Sequence, residues 1–315
     1  MTMDSNPPID ETSQPALESE IADLELRLQQ AKERLAKSSN HPKANHHASS
    51  SIPPSPPPSP FFASSTQSAH HYLLLLSDSA LPLGSFACSS GLESYLAHTS
   101  PSSSSSRRHP SNNNPFSSFL PLSISSYAGT NLPHALAAHR DPSPSSIARI
   151  DDALDAATIC TVGRRASVAQ GRALLAIWEK SLGGPSSRAL APFAEALRRA
   201  GTAEAGDLLL PPPASAHLAP LFGAVAALCG LTLRQAAYVF MLSHVKALVS
   251  AAVRAGLFGP YHAQRVLAGE LVQALLVDAV EREWETGVEE AGQRVPSVDL
   301  WVGRHEVLYS RIFNS

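Results

Sequence analysis

The 315-residue chain is 43% hydrophobic with a formal net charge of −3, which suffices for a sizeable core and offers no electrostatic footprint for nucleic acid or an acidic membrane. Its three cysteines, Cys88, Cys160 and Cys229, form no C-x-x-C pair, which argues for a reducing compartment and against a structural zinc site. The start, "MTMDSNPPID", lacks a signal-peptide pattern, and the most apolar window, "QAAYVFMLSHVKALVSAAV", is interrupted by His244 and Lys246, so a soluble, cytoplasmic protein without a membrane partner is expected.

Residues 1–68 read as an N-terminal arm. Within it Leu17, Ile21, Leu24, Leu28, Ala31 and Leu35 recur at 4-3-4-3-4 spacing, the a/d seam of a short heptad helix near 15–37. Such a seam can pair with another chain or form only a transient amphipathic helix. The stretch "ASSSIPPSPPPSPFFASSTQS" that follows is too rich in Ser and Pro to repay the entropy of ordering and is expected to be disordered. His41, His46, His47, His70 and His71 cluster early in the chain and could recruit a metal, though disordered histidines enforce no geometry.

Residues 69–315 read as one all-α domain, a bundle of roughly eight to ten helices. In "LLLLSDSALPLGSFACSSGLESYLAH" four leucines run into an elbow built from Ser79, Pro82 and Gly84, where Pro fixes φ and Gly tolerates φ > 0. Ser90 and Glu93 stand at capping-box spacing for the next helix. A Ser-rich insertion near 100–115 interrupts the domain as a surface loop, tolerated because closure entropy grows slowly with length. Apolar periodicity then runs through Ile150 to Lys180. Thr232 can cap a helix reaching Ala255, with Gly256 at its C′ position. Pro260 opens a helix carrying Val266, Leu267, Leu271, Leu275 and Trp284. The closing segment, "VDLWVGRHEVLYSRIFNS", written on a helix, is apolar on several faces.

Sequence motifs of catalysis are sparse. No G-x-x-x-x-G-K-[ST], H-E-x-x-H or G-x-S-x-G occurs. An all-α enzyme using Cys88 or a histidine is the alternative from the enzyme class, yet a cysteine in a helical protein is more often a small buried hydrophobe. A general coiled-coil adaptor rests on Leu17 to Leu35 alone.

Four separated segments, "LPLGSFACSSGLESYLAH", "RRASVAQGRALL", "HLAPLFGAVAALCGLTLRQAAYVFMLSHVKALVSAAVRAGLFGPYHAQRVL" and "RHEVLYSRIF", together resemble the UreF family of urease accessory proteins. The resemblance implies an all-α fold and no enzymatic activity. It also implies a homodimer in complex with the accessory protein UreD, also called UreH, and the GTPase UreG, loading nickel into apo-urease. Nickel and GTP would then be handled by the assembly, with no cofactor bound tightly by this chain and no nickel ligand assigned in it. Glu93 falls on the Glu of the family's G-L-E motif, where its carboxylate could face a partner instead of a cap. Arg304, His305, Glu306, Tyr309 and Arg311 fall on the R-H-E-x-L-Y-S-R ending, and Arg and Tyr are types enriched at binding hot spots. Arg254, Gln264 and Arg265 flank the turn "AGLFGPYHAQR" and are expected at a dimer interface, unless Arg254 only complements a helix dipole.

Overall fold

The computed structural model describes residues 65–99, 115–202 and 214–314, together with Gln29 and Lys32, which are helical and exposed. All six residues of the heptad seam, the early histidines before His70 and the Ser-rich insertion up to residue 114 lie outside the described residues. Eleven α-helices and no strand occur among the described residues: α1 (Ser65–Ser77), α2 (Leu92–Thr99), α3 (Pro115–Arg140), α4 (Pro144–Ala157), α5 (Thr161–Ile177), α6 (Ala191–Thr202), α7 (Leu218–Leu228), α8 (Leu233–Arg254), α9 (Pro260–Ala268), α10 (Glu270–Glu283) and α11 (Pro296–Arg304). The all-α expectation holds, with more helices than the eight to ten read from the sequence.

The extra helices arise where periodicity carries across a break. The Ile150–Lys180 pattern splits because the Thr158 backbone N–H and hydroxyl close α4 on the Leu154 carbonyl, while the Cys160 thiol accepts from Gly163 N and opens α5. The pattern after Pro260 splits at Gly269, whose extended ψ of 146° ends α9 and starts α10. Other boundaries match the sequence. Thr232 and Gln235 form a capping box at the start of α8, Gly256 follows its end with φ 76°, and Pro260 sits in the first turn of α9.

Helix α3 runs through the centre, with Phe116, Phe119, Leu120, Ile124, Ala128, Leu132 and Leu136 all buried. It packs against α7 and α8, with α4 and α10 on its flanks. Close approach is obtained with glycine: a Cβ on Gly223 of α7 would overlap the Ala135 carbonyl oxygen, and one on Gly171 of α5 would overlap that of Ala216. Helix α8 is long and apolar enough to cross a membrane, but most of that stretch is buried as a core helix.

An aspartate pair ties α4 to the start of α7. Asp151, fully buried, accepts from the backbone N–H groups of Ser215, Ala216 and His217 at 2.7, 2.9 and 2.6 Å, fixing the turn that leads into α7 and satisfying its N-cap amide. Asp155 meets His217 Nε2 at 2.9 Å and Arg164 at 2.5 Å. Burial pushes the Asp155 carboxyl up, but hydrogen bonds from His217, Arg164 and Ser215 hold it below the usual range.

Candidate functional site

Two stretches more than two hundred residues apart meet: the elbow after α1 with the start of α2 that follows it, and the chain after α11. Asp78 Oδ1 accepts from Ala80 N at 2.9 Å and sets the elbow. Gly84 at φ 76° leads into a single 3₁₀ turn over Ser85–Ala87. Ser90 and Gly91 follow at φ 49° and 86°. Gly91 is required twice over, since a Cβ there would also lie 3.0 Å from Val302 N of α11.

The expected Ser90–Glu93 capping box does not form. With Ser90 and Gly91 both at positive φ, α2 begins at Leu92. The Glu93 carboxylate turns instead to the C-terminal tail, its Oε1 accepting from Ile312 N at 2.6 Å and its Oε2 from Phe313 N at 3.2 Å and His305 Nε2 at 3.1 Å. Only 11% of the Glu93 side chain is exposed and that of His305 is fully buried. The Nε2 proton of His305 faces Glu93, and its Nδ1 is buried without a partner among the described residues.

The closing helix expected through Phe313 stops early. Helix α11 ends at Arg304, one 3₁₀ turn covers His305–Val307, and Leu308 is extended. The Ile312 and Phe313 amides that further helix would use are taken by an ionised carboxylate, and charge-assisted bonds outcompete a fraying terminal turn. Asn314 N donates to Ala87 O at 2.8 Å, so the tail runs back along the elbow. Phe313 is buried, whereas Val307, Tyr309 and Ile312 stand in solvent, Tyr309 fully.

Arg254, at the end of α8, donates to the Phe86 carbonyl and lays its guanidinium 4.5 Å from the Phe313 ring centroid, a cation–π contact. It thus joins elbow and tail within the chain, and Phe86 itself remains 66% exposed. Arg254 and Gln264 also line a groove of about 430 Å³ whose walls include Leu81, Leu83, Val253 and Leu267. Arg265 is exposed and lies outside that lining.

Charged groups surround the tail. Glu306 receives Arg165 at 2.5 Å on Oε1 and Arg311 at 3.3 Å on Oε2. The hydrogen bond and charge of Arg165 hold its carboxyl below the usual range. Arg304 donates from Nε to His98 Nε2 at 3.2 Å, while His98 Nδ1 lies 2.7 Å from the Ser94 carbonyl. A carbonyl only accepts, so Nδ1 carries the proton and Nε2 offers its lone pair to Arg304. Trp301 braces this corner, 5.8 Å from Tyr95 and 5.5 Å from His98.

The sequence brought Glu93, Arg304, His305, Glu306 and Arg311 to attention, and all five meet here. It missed Arg165 and Phe86, both inside quoted motifs, because nothing in local spacing shows which partner a distant side chain reaches.

The thiols and the buried histidines other than His305 take no part in these bonds. Cys88 and Cys160 line a cavity of about 150 Å³ with Tyr127, Gln170, His244 and Asp299. Gln170 donates to Cys88 Sγ at 3.8 Å. His244 lies flat on Tyr127 at 3.9 Å, meets Ser123 Oγ at 3.0 Å, and is pushed by burial down to about 3. Burial likewise pushes the Cys229 thiol up to about 11, away from thiolate chemistry. Among the described residues, no group of three or more His, Cys, Asp or Glu could hold a metal ion.

A model of the UreF family matches residues 113–269. A Schizosaccharomyces pombe protein described as an uncharacterized urease accessory protein UreF-like is 36% identical over 242 residues, covering 76% of this chain and 94% of its own length. Urease accessory protein F of Oryza sativa subsp. indica is 30% identical over 244 residues, covering 76% and 82% respectively. Urease accessory protein UreF of Paenarthrobacter aurescens is 30% identical over 242 residues, covering 76% and 95%.

Proposed function

The chain belongs to the UreF family of urease accessory proteins and serves urease maturation, and from that premise we propose that it is a non-catalytic scaffold. It acts in the cytoplasm as a homodimer, joining a UreD/UreH-like protein to the GTPase UreG so that nickel, the cargo of the assembly, reaches apo-urease. The GTP belongs to the GTPase. The grip on the UreD-like partner is the tail face, made of Arg304, Glu306, Tyr309 and Arg311, with Glu93 and His305 as its anchors.

The observation that carries this reading is the state of the tail. Beyond α11 the backbone leaves the helix, yet it is held by an almost buried carboxylate on two backbone amides while Val307, Tyr309 and Ile312 stand exposed, as does Phe86 on the elbow. Apolar residues gathered on a surface mark interaction sites, and Tyr and Arg are the types that dominate hot spots. The groove at Arg254 and Gln264 is assigned to the second copy.

Co-expression with UreD-like and UreG chains followed by size-exclusion chromatography tests the scaffold. One co-eluting complex is expected; elution of this chain alone would overturn the proposal.

A further inference from the structure

Resting on the assignment of the tail face to the UreD-like partner, we infer that the partner element seated there is an acidic segment, one of whose carboxylates bridges Arg165 and Arg311. Besides Arg254 at Phe313, three guanidiniums, Arg165, Arg304 and Arg311, stand on or against the tail, and two of them, Arg165 and Arg311, meet the exposed carboxylate of Glu306. Among the described residues, the other carboxylate bonded to the tail, Glu93, faces inward and is occupied by two backbone amides and His305. Arg304 has no carboxylate partner among the described residues. Its Nε proton goes to the lone pair of a neutral His98, which leaves its positive charge unbalanced.

The two remaining arginines converge. Arg165 comes from α5 and Arg311 from the tail, and each gives one nitrogen to a different oxygen of Glu306. All three side chains are open to solvent, 62% for Arg165, 43% for Arg311 and 41% for Glu306. A guanidinium carries five donors in a planar fork that matches a carboxylate. One contact each to Glu306 leaves most of those donors unused on solvent-exposed side chains, and Val307, Tyr309 and Ile312 of the same tail are exposed as well. The face therefore suits a peptide that brings carboxylates and apolar groups together, with Glu306 keeping the two arginines apart and oriented while no partner is bound.

The test measures affinity of the purified full chain for the UreD-like protein by calorimetry, at NaCl from about 0.05 to 0.5 M, where screening of exposed charges becomes strong. Arg165→Glu with Arg311→Glu is expected to weaken binding at least about 30-fold at low salt and to flatten its salt dependence. Tyr309→Ala is expected to weaken binding while leaving the salt dependence intact. Thermal melts check folding, and the Arg165→Ala, Arg311→Ala pair supplies the same comparison should the reversal unfold. Affinity within twofold of wild type in the arginine variants, with loss in Tyr309→Ala, overturns the acidic segment and leaves the tail assignment standing. No loss in either set overturns both.

Discussion

Glu93 and Phe313 are joined across 220 residues of sequence: the carboxylate of the second residue of α2 accepts the backbone N–H of a residue two positions from the chain's end. That bond, with its neighbour at Ile312, converts a tail into part of the folded surface. The predictions below follow from treating elbow, α2 and tail as one unit.

Glu93→Ala should cost about 1.5–3 kcal/mol, the range for hydrogen bonds to a charged group, and should free the tail. Glu93→Gln keeps one acceptor oxygen but loses the charge, so it should fall between wild type and Ala. Hydrogen exchange at the Ile312 and Phe313 amides reads this directly. Both amides should be protected in wild type and exchange freely in Glu93→Ala; unchanged protection would show that the carboxylate is not the anchor.

Arg254→Glu removes the contacts to the Phe86 carbonyl and the Phe313 ring and reverses a charge on the groove assigned to the dimer. The cation–π contact is worth about 0.5–1 kcal/mol at such an exposed site. A lowered melting temperature and a sedimentation profile shifted toward monomer are expected. A lowered melting temperature with an unaltered profile would confine Arg254 to its role inside the chain.

Stability should fall on mild acidification. Burial lowers His244 to about 3 and His134 to about 4, whereas both titrate near 6.5 once unfolded. Between those values the unfolded chain binds more protons, so the stability present above about pH 6.5 is lost as pH drops, by at most about 1.4 kcal/mol per pH unit for each histidine. At lower pH, Asp155 and Glu283, both held below the ordinary carboxyl range, add a further loss as they protonate. Melting curves from about pH 8 to 4 should show this descent, and His244→Gln should make it shallower. A flat profile across that range would contradict neutral burial of the two rings.

What was legible in the sequence, and what was not, divides along local and non-local physics. Capping at Thr232, the stop at Gly256 and the opening at Pro260 depend on neighbours in sequence, and each stands where the spacing put it. The all-α class followed from periodicity for the same reason. The bonds between Glu93 and the tail are not legible locally because the partners are more than two hundred residues apart. S-x-x-E spacing cannot reveal that Ser90 sits at φ 49° or that two backbone amides compete for the carboxylate. The buried Asp151 and its three amide donors have no local signal, since an aspartate within an amphipathic helix reads as a solvated face, and only the fold brings the start of α7 beside it.

The tail face as the grip on the UreD-like protein is the centre of this account, and truncation after Leu308 addresses it most directly. That change removes Tyr309, Arg311 and the clasped residues while leaving α11 and its Trp301 packing against Tyr95 in place. Losing the buried Phe313 costs about 1.5–3 kcal/mol, which the extensive core around α3 should tolerate. Calorimetric titration of the truncated chain against the UreD-like protein is the measurement. The account predicts a folded, helical chain with binding weakened at least about 100-fold, the equivalent of about 2.7 kcal/mol and within reach of one or two hot-spot residues. Wild-type affinity in the truncated chain would contradict it.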